Sequence, residues 1–328
     1  MDDPLIYVRA IHFAATITVA GAVFFIVFIA EPTFRSAADG ARLPHIVRHL
    51  LVWIAWTSLV VTVVSGMAWL VLVAQSITDS SLWEALATDV LGVVLLQTGF
   101  GNDWLARFGL ACLLGGMFVR FLSRRRAVKR LWVRCAVVAL AAALAGTLVW
   151  AGHAAGGRGL EAVLHPAADF VHLTAAAAWV GTLLPLALVL GAAGHDGASV
   201  AFARTAAVRF SAFGIVSVAT LLITGSINTW YLAGSIPALT ATDYGHLLLI
   251  KIGLFLVMVA IAAINRLVLT PRLVQTASAA QARRVLFELR INTLLEVAIG
   301  VSIIVIVAML GTNPPGLEAI THAHPHPH

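Results

Sequence analysis

The stretch LWEALATDVLGVVLLQ, residues 82–97, decides how this chain is threaded. It is apolar, but it is shorter than the ~20 residues that cross about 30 Å of hydrocarbon, and it carries Glu84 and Asp89. Eight longer apolar runs lie near residues 5–30, 47–74, 103–122, 131–151, 167–193, 207–232, 245–268 and 289–311. Were 82–97 a ninth span, every later basic block would change sides. Read as an interfacial helix, it leaves eight.

The basic residues support that reading. Seventeen of the 21 Lys and Arg fall in segments that eight spans put on one side: Arg35, Arg42 and Arg48; the block from Arg120 to Arg134; Arg204 and Arg209; and five arginines from Arg266 to Arg290. By the positive-inside rule that side is cytoplasmic. The acidic residues Asp2, Asp3, Asp79, Glu84, Asp89, Asp103, Glu161, Asp169, Asp243 and Glu318 fall opposite, so both termini are expected to be extracytoplasmic. The first apolar run follows two acids and exceeds a signal-peptide core, so it is read as a retained helix.

Composition agrees. With 60% hydrophobic and 11% charged residues, most of the chain is unfit to be the surface of a water-soluble domain. The net charge of +6 comes from short blocks between apolar runs, which set topology and form no nucleic-acid footprint. Cys112 and Cys135 are the only cysteines and both sit in apolar segments, so neither a disulfide framework nor a thiolate cluster is expected. Met67, Met117, Met258 and Met309 stand singly and read as packing.

The second half repeats the first. Gly21 follows His12 by nine residues, and Gly181 follows His172 by nine. Ser65-Gly66 matches Thr224-Gly225; Thr98-Gly99-Phe100-Gly101 with Arg107 matches Thr242-Asp243-Tyr244-Gly245 with Lys251. The expected fold is all-α integral membrane: eight transmembrane helices as two parallel-related four-helix repeats about an axis along the membrane normal. The units are 1–156 and 157–312, followed by a flexible His-rich extracytoplasmic tail, 313–328.

Nine of the twelve histidines fall on the extracytoplasmic side. His165, Asp169 and His172 sit at i, i+4 and i+7, on one helix face, with Pro166 expected at the first helical position. His12 holds the repeat-equivalent place to His172, and Arg9 that of Asp169. The expectation is that His12 and His172 approach each other, with Arg9 and Asp169 ion-paired above them, and that His153 adds a ligand. Neutral imidazole is the commonest transition-metal ligand, so His12, His153, His165 and His172 form the candidate metal site. His322, His324, His326 and His328 form an extended capture tract after Pro314-Pro315-Gly316. Glu296, an intramembrane carboxylate, reads either as a proton or metal relay or as an ion-pair partner of Arg266. No phosphate-binding glycine loop, haem-attachment motif or nucleophile elbow is present, and the chain reads as a non-enzyme.

Taken together, Arg9-x-x-His12-Phe13, Gly152-His153-Ala154, the run from His165 through His172 to Trp179-Val180-Gly181-Thr182-Leu183-Leu184-Pro185, Arg209-Phe210-Ser211, Thr224-Gly225-Ser226-Ile227-Asn228-Thr229-Trp230, Tyr244-Gly245-His246 through Lys251, and Asn265-Arg266 resemble the copper resistance protein D (CopD) family. The resemblance covers most of the chain. It implies a multi-pass protein of the bacterial inner membrane that handles copper ion, most often described as uptake from periplasm to cytoplasm, with a periplasmic CopC-like carrier as partner. A second reading from the residues alone is a b-type haem electron-transfer protein with His12 and His172, or another transmembrane pair, as axial ligands.

Overall fold

In the computed structural model, residues 3–36, 43–78, 81–122, 131–151, 161–193, 197–233, 236–276 and 278–313 are described. Every element among them is helical. In chain order these are α1 (Pro4–Phe24), α2 (Glu31–Ser36), α3 (Leu43–Thr78), α4 (Leu82–Ala85), α5 (Thr88–Gln97), α6 (Gly99–Met117), α7 (Leu131–Gly146), α8 (Glu161–Ala192), α9 (Gly197–Ala233), α10 (Ile236–Ala241), α11 (Asp243–Ile264), α12 (Thr270–Gln275) and α13 (Ala279–Leu310). A π-helical segment, Phe25–Ala30, joins α1 to α2 without a break, and another, Asn265–Leu269, joins α11 to α12.

Seven of these helical stretches are long and apolar enough to cross a membrane: Pro4–Arg35, Pro44–Thr78, Leu131–Ala151, Val163–Ala192, Gly197–Leu232, Asp243–Gln275 and Ala279–Leu310. The α6 helix, which carries Asp103 and Arg107, is more polar and is not among them. Residues 82–97 do not form one helix. They break between α4 and α5, and the ten residues of α5 extend about 15 Å, half the hydrocarbon thickness. Trp83 and Leu96 are exposed there. A capping box starts α4: Ser81 donates its N–H and O–H to Glu84, both at 2.8 Å, and these bonds hold the Glu84 carboxyl below the usual range.

The first helix is the most enclosed, packed against α3, α7, α8 and α13. Small residues bring α1 and α8 together: a Cβ on Gly21 would run into the Gly181 backbone, and one on Gly181 into the Ile17 carbonyl. Glycine here permits the close backbone approach that membrane helices use when lipid supplies no hydrophobic drive. The outer faces of α3, α9, α11 and α13 expose Val64, Ile223, Leu256 and Leu295, as a lipid-facing surface requires. The α8 helix starts at Glu161, so Pro166 lies in its second turn and not at the first position.

Candidate functional site

On α1, His12 is buried at 1% exposure and points at α3. Its Nδ1 lies 3.1 Å from the Thr62 carbonyl oxygen and 3.1 Å from Ser65 Oγ. A carbonyl can only accept, and the Ser65 hydroxyl already donates to the Val61 carbonyl, so the ring carries its proton on Nδ1. Its Nε2 is then an unprotonated nitrogen, and it is buried without a hydrogen-bond partner.

The same logic holds on α8. His172 Nδ1 lies 3.0 Å from Thr224 Oγ1, whose single proton goes to the Thr220 carbonyl at 2.7 Å. His172 therefore donates from Nδ1 and keeps the Nε2 lone pair free. The residues after the two hydroxyls match as well: a Cβ on Gly66 would sit 3.3 Å from His12 Cε1, and one on Gly225 3.4 Å from His172 Cε1. In each case the hydroxyl orients the ring and the glycine makes room for it.

Around His172 there is space. One cavity of about 170 Å³ is lined by Arg9, His165, Asp169, His172, Tyr244 and Lys251 among others. A larger one, about 660 Å³ and mostly apolar, shares His172 and Lys251 and extends along Trp179, Trp230 and Phe255. His165 stacks on Tyr231 with centroids 5.1 Å apart, and Asp169 accepts from Asn228 at 2.9 Å. Around His12 the cavity is only about 20 Å³. Trp69 packs edge-on to the His12 ring at 5.5 Å, and Trp104 donates to the Gly66 carbonyl at 2.8 Å.

The sequence-derived candidates therefore divide. His165, Asp169 and His172 share one face and border one cavity, as their spacing predicts. His12 and His172 bond to different helices and border different cavities. Arg9 and Asp169 border the same cavity but are not ion-paired: Arg9 donates to the carbonyls of Ala151 (2.9 Å) and Gly311 (3.0 Å). Glu296 is likewise not paired with Arg266, which bonds to Ser211 instead. His153 and the tail histidines His322, His324, His326 and His328 lie outside the described residues. Among the described residues, no three His, Cys, Asp or Glu side chains converge closely enough to hold a metal ion.

Sequence reasoning missed Lys251 as a site residue. It borders both cavities around His172 and makes no hydrogen bond among the described residues. The signal was there, because a lysine in the middle of an apolar run is a functional candidate by default.

Two family models match: "Copper resistance protein D-like, N-terminal domain" over residues 1–164, and "Copper resistance protein D" over residues 204–310. The chain is 30% identical to "Copper resistance protein D" of Pseudomonas syringae pv. tomato, covering 97% of this chain and 99% of that protein. It is 32% identical to "Inner membrane protein YebZ" of Escherichia coli K12, over 94% and 98% of the two chains. A shorter match, 35% identical over 30% of this chain and 18% of the relative, is to "Copper transport protein CutJ" of Bacillus subtilis 168. No solved structure gives a significant match. Related end to end to such proteins and built on long apolar helices, the chain belongs to the copper resistance protein D family and is a multi-pass protein of the inner membrane.

Proposed function

We propose that the chain carries copper across the inner membrane, inward from the periplasm, by way of the cavity that His165 and His172 border. The observation that carries this is the pairing of His172 Nδ1 with a Thr224 hydroxyl that donates to Thr220, which assigns the proton to Nδ1 and leaves Nε2 free as a metal ligand beside an open cavity. Imidazole nitrogen suits either copper oxidation state and replaces the ion's water before it enters a low-dielectric path. Asp169 supplies negative charge on the same face. His12 presents the same nitrogen in the other half, and His153, the tail histidines and a CopC-like carrier deliver copper from outside.

The architecture we infer is two four-helix units, 1–156 and 157–312, related by a pseudo-two-fold axis along the membrane normal, with α6 as an eighth span and both termini outside. Its support is local. Gly21 meets Gly181; the His12 and His172 settings match; and Thr98 and Thr242 cap α6 and α11 identically, each accepting from a glycine N–H at 3.0 Å.

The test is copper accumulation in cells expressing each variant at matched membrane levels. His172→Ala should fall to the empty-vector level, and accumulation equal to wild type would refute the route. A haem held between His12 and His172 is less well supported, because the two border separate cavities. The visible spectrum of the purified protein discriminates: a strong Soret band would favour the haem reading.

A further inference from the structure

A second polar site lies on α13, bordering a cavity that contains none of the histidines. Glu296 is 1% exposed, and its two carboxyl oxygens are treated differently. Oε1 accepts from the Asn265 side-chain amide at 2.7 Å, and the Asn265 carbonyl oxygen accepts from the Asn292 amide, also at 2.7 Å. Oε2 is buried with no partner. Glu296 borders a cavity of about 310 Å³ formed by α8, α9, α11 and α13, in which Arg266 is the other ionisable lining residue. Arg266 is committed to the carbonyl and hydroxyl of Ser211, at 3.0 and 2.9 Å.

The hydrogen-bond chain has a direction. Asn292 donates to Asn265, so Asn265 presents its NH2 group to Glu296, and Oε1 is fixed as an acceptor. Any proton the carboxyl holds therefore sits on Oε2. An ionised carboxylate left half-bonded and without a counter-charge in a membrane interior is costly, whereas the protonated acid is tolerated. Asn265 opens the π-helical segment Asn265–Leu269, the type of helix defect that recurs at functional sites.

We propose that Glu296 is a proton-exchange site and that copper movement through this protein is accompanied by proton movement. The step is the gain and loss of one proton at Oε2, through the O–H bond alone, with water in the cavity as donor and acceptor. The coupling rests on the transport reading above; the proton site does not.

The test has two parts that separate these. Purified full-length protein in nanodiscs is treated with a hydrophobic carbodiimide, which adds to a protonated carboxyl, and mapped by mass spectrometry. Modification of Glu296 should rise as the pH is lowered and be absent in Glu296→Gln. No modification at any pH would overturn the proton site. In proteoliposomes holding a pH dye, copper should drive a proton signal in wild type. That signal should drop roughly tenfold or more in Glu296→Gln and recover in part in Glu296→Asp, with copper binding unchanged. An undiminished signal in Glu296→Gln would overturn the coupling. If wild type moves no copper, the transport reading fails, and the carbodiimide result still decides the proton site.

Discussion

The two histidines sit in matching frames with opposite fillings. In both, a hydroxyl one residue before a glycine fixes the ring, and a basic residue lies on the next long helix, Arg107 for His12 and Lys251 for His172. Where the first half has Trp69 and Trp104, the corresponding places after Gly66 and Thr98 hold Asn228 and Leu248 in the second. Two indoles close the space beside His12 to about 20 Å³; an amide and a leucine leave about 170 and 660 Å³ beside His172. Arg107 is also spent structurally, bonding Thr147 through Nε and Nη2 and lying 5.3 Å from the Trp69 ring, while Lys251 makes no hydrogen bond among the described residues. One frame is packed nearly shut, and the other keeps open space beside its histidine.

The largest contrast should come from the histidines themselves. His12→Ala removes a ring packed on Trp69 and leaves a buried void, so it should cost about 2–4 kcal/mol of stability in denaturant titrations. His172→Ala should cost under about 1 kcal/mol while abolishing copper accumulation. Equal stability losses would dissolve the distinction.

Next in size is a graft. Leu248→Trp puts the first-half side chain into the second-half cavity and should cut copper accumulation by roughly tenfold, with the protein still inserted and folded. Full accumulation would mean that the larger cavity of about 660 Å³, the one Leu248 lines, is not on the path.

The basic pair should separate by sign. Arg107→Met removes both guanidinium bonds to Thr147 and should destabilise by about 1–3 kcal/mol. Lys251→Met removes a positive charge from a cation's cavity and should lower the half-saturating copper concentration several-fold. A rise would show that Lys251 assists copper.

Seven of the eight expected spans were legible in the sequence because about 20 apolar residues have one stable form in lipid. The single face of His165, Asp169 and His172 was legible because helical spacing dictates it. The ion pairs were not. Arg9 and Asp169 hold equivalent places on α1 and α8, but equivalence fixes depth, not direction. Arg9 turns to the helix-end carbonyls of Ala151 and Gly311, and Asp169 turns to α9. Pairing Glu296 with Arg266 failed for a related reason: a serine on α9 and an asparagine one residue from the arginine were better placed for each, and linear sequence hides such choices. The break between α4 and α5 had no proline or long polar run to announce it.

The smallest effect should be that of the tail. Deleting residues 321–328 should lower accumulation only when copper is scarce, since capture and passage are separate tasks. Unchanged accumulation at scarce copper would remove the tail from the account.

The most direct test of the central claim is copper K-edge X-ray absorption on purified protein lacking residues 321–328, so that tail imidazoles do not contribute. Copper bound at the cavity should show imidazole outer-shell scattering, and both that scattering and the bound copper should be lost in His165→Ala/His172→Ala. Copper bound by the double variant at the wild-type level, with the same imidazole signature, would contradict the account.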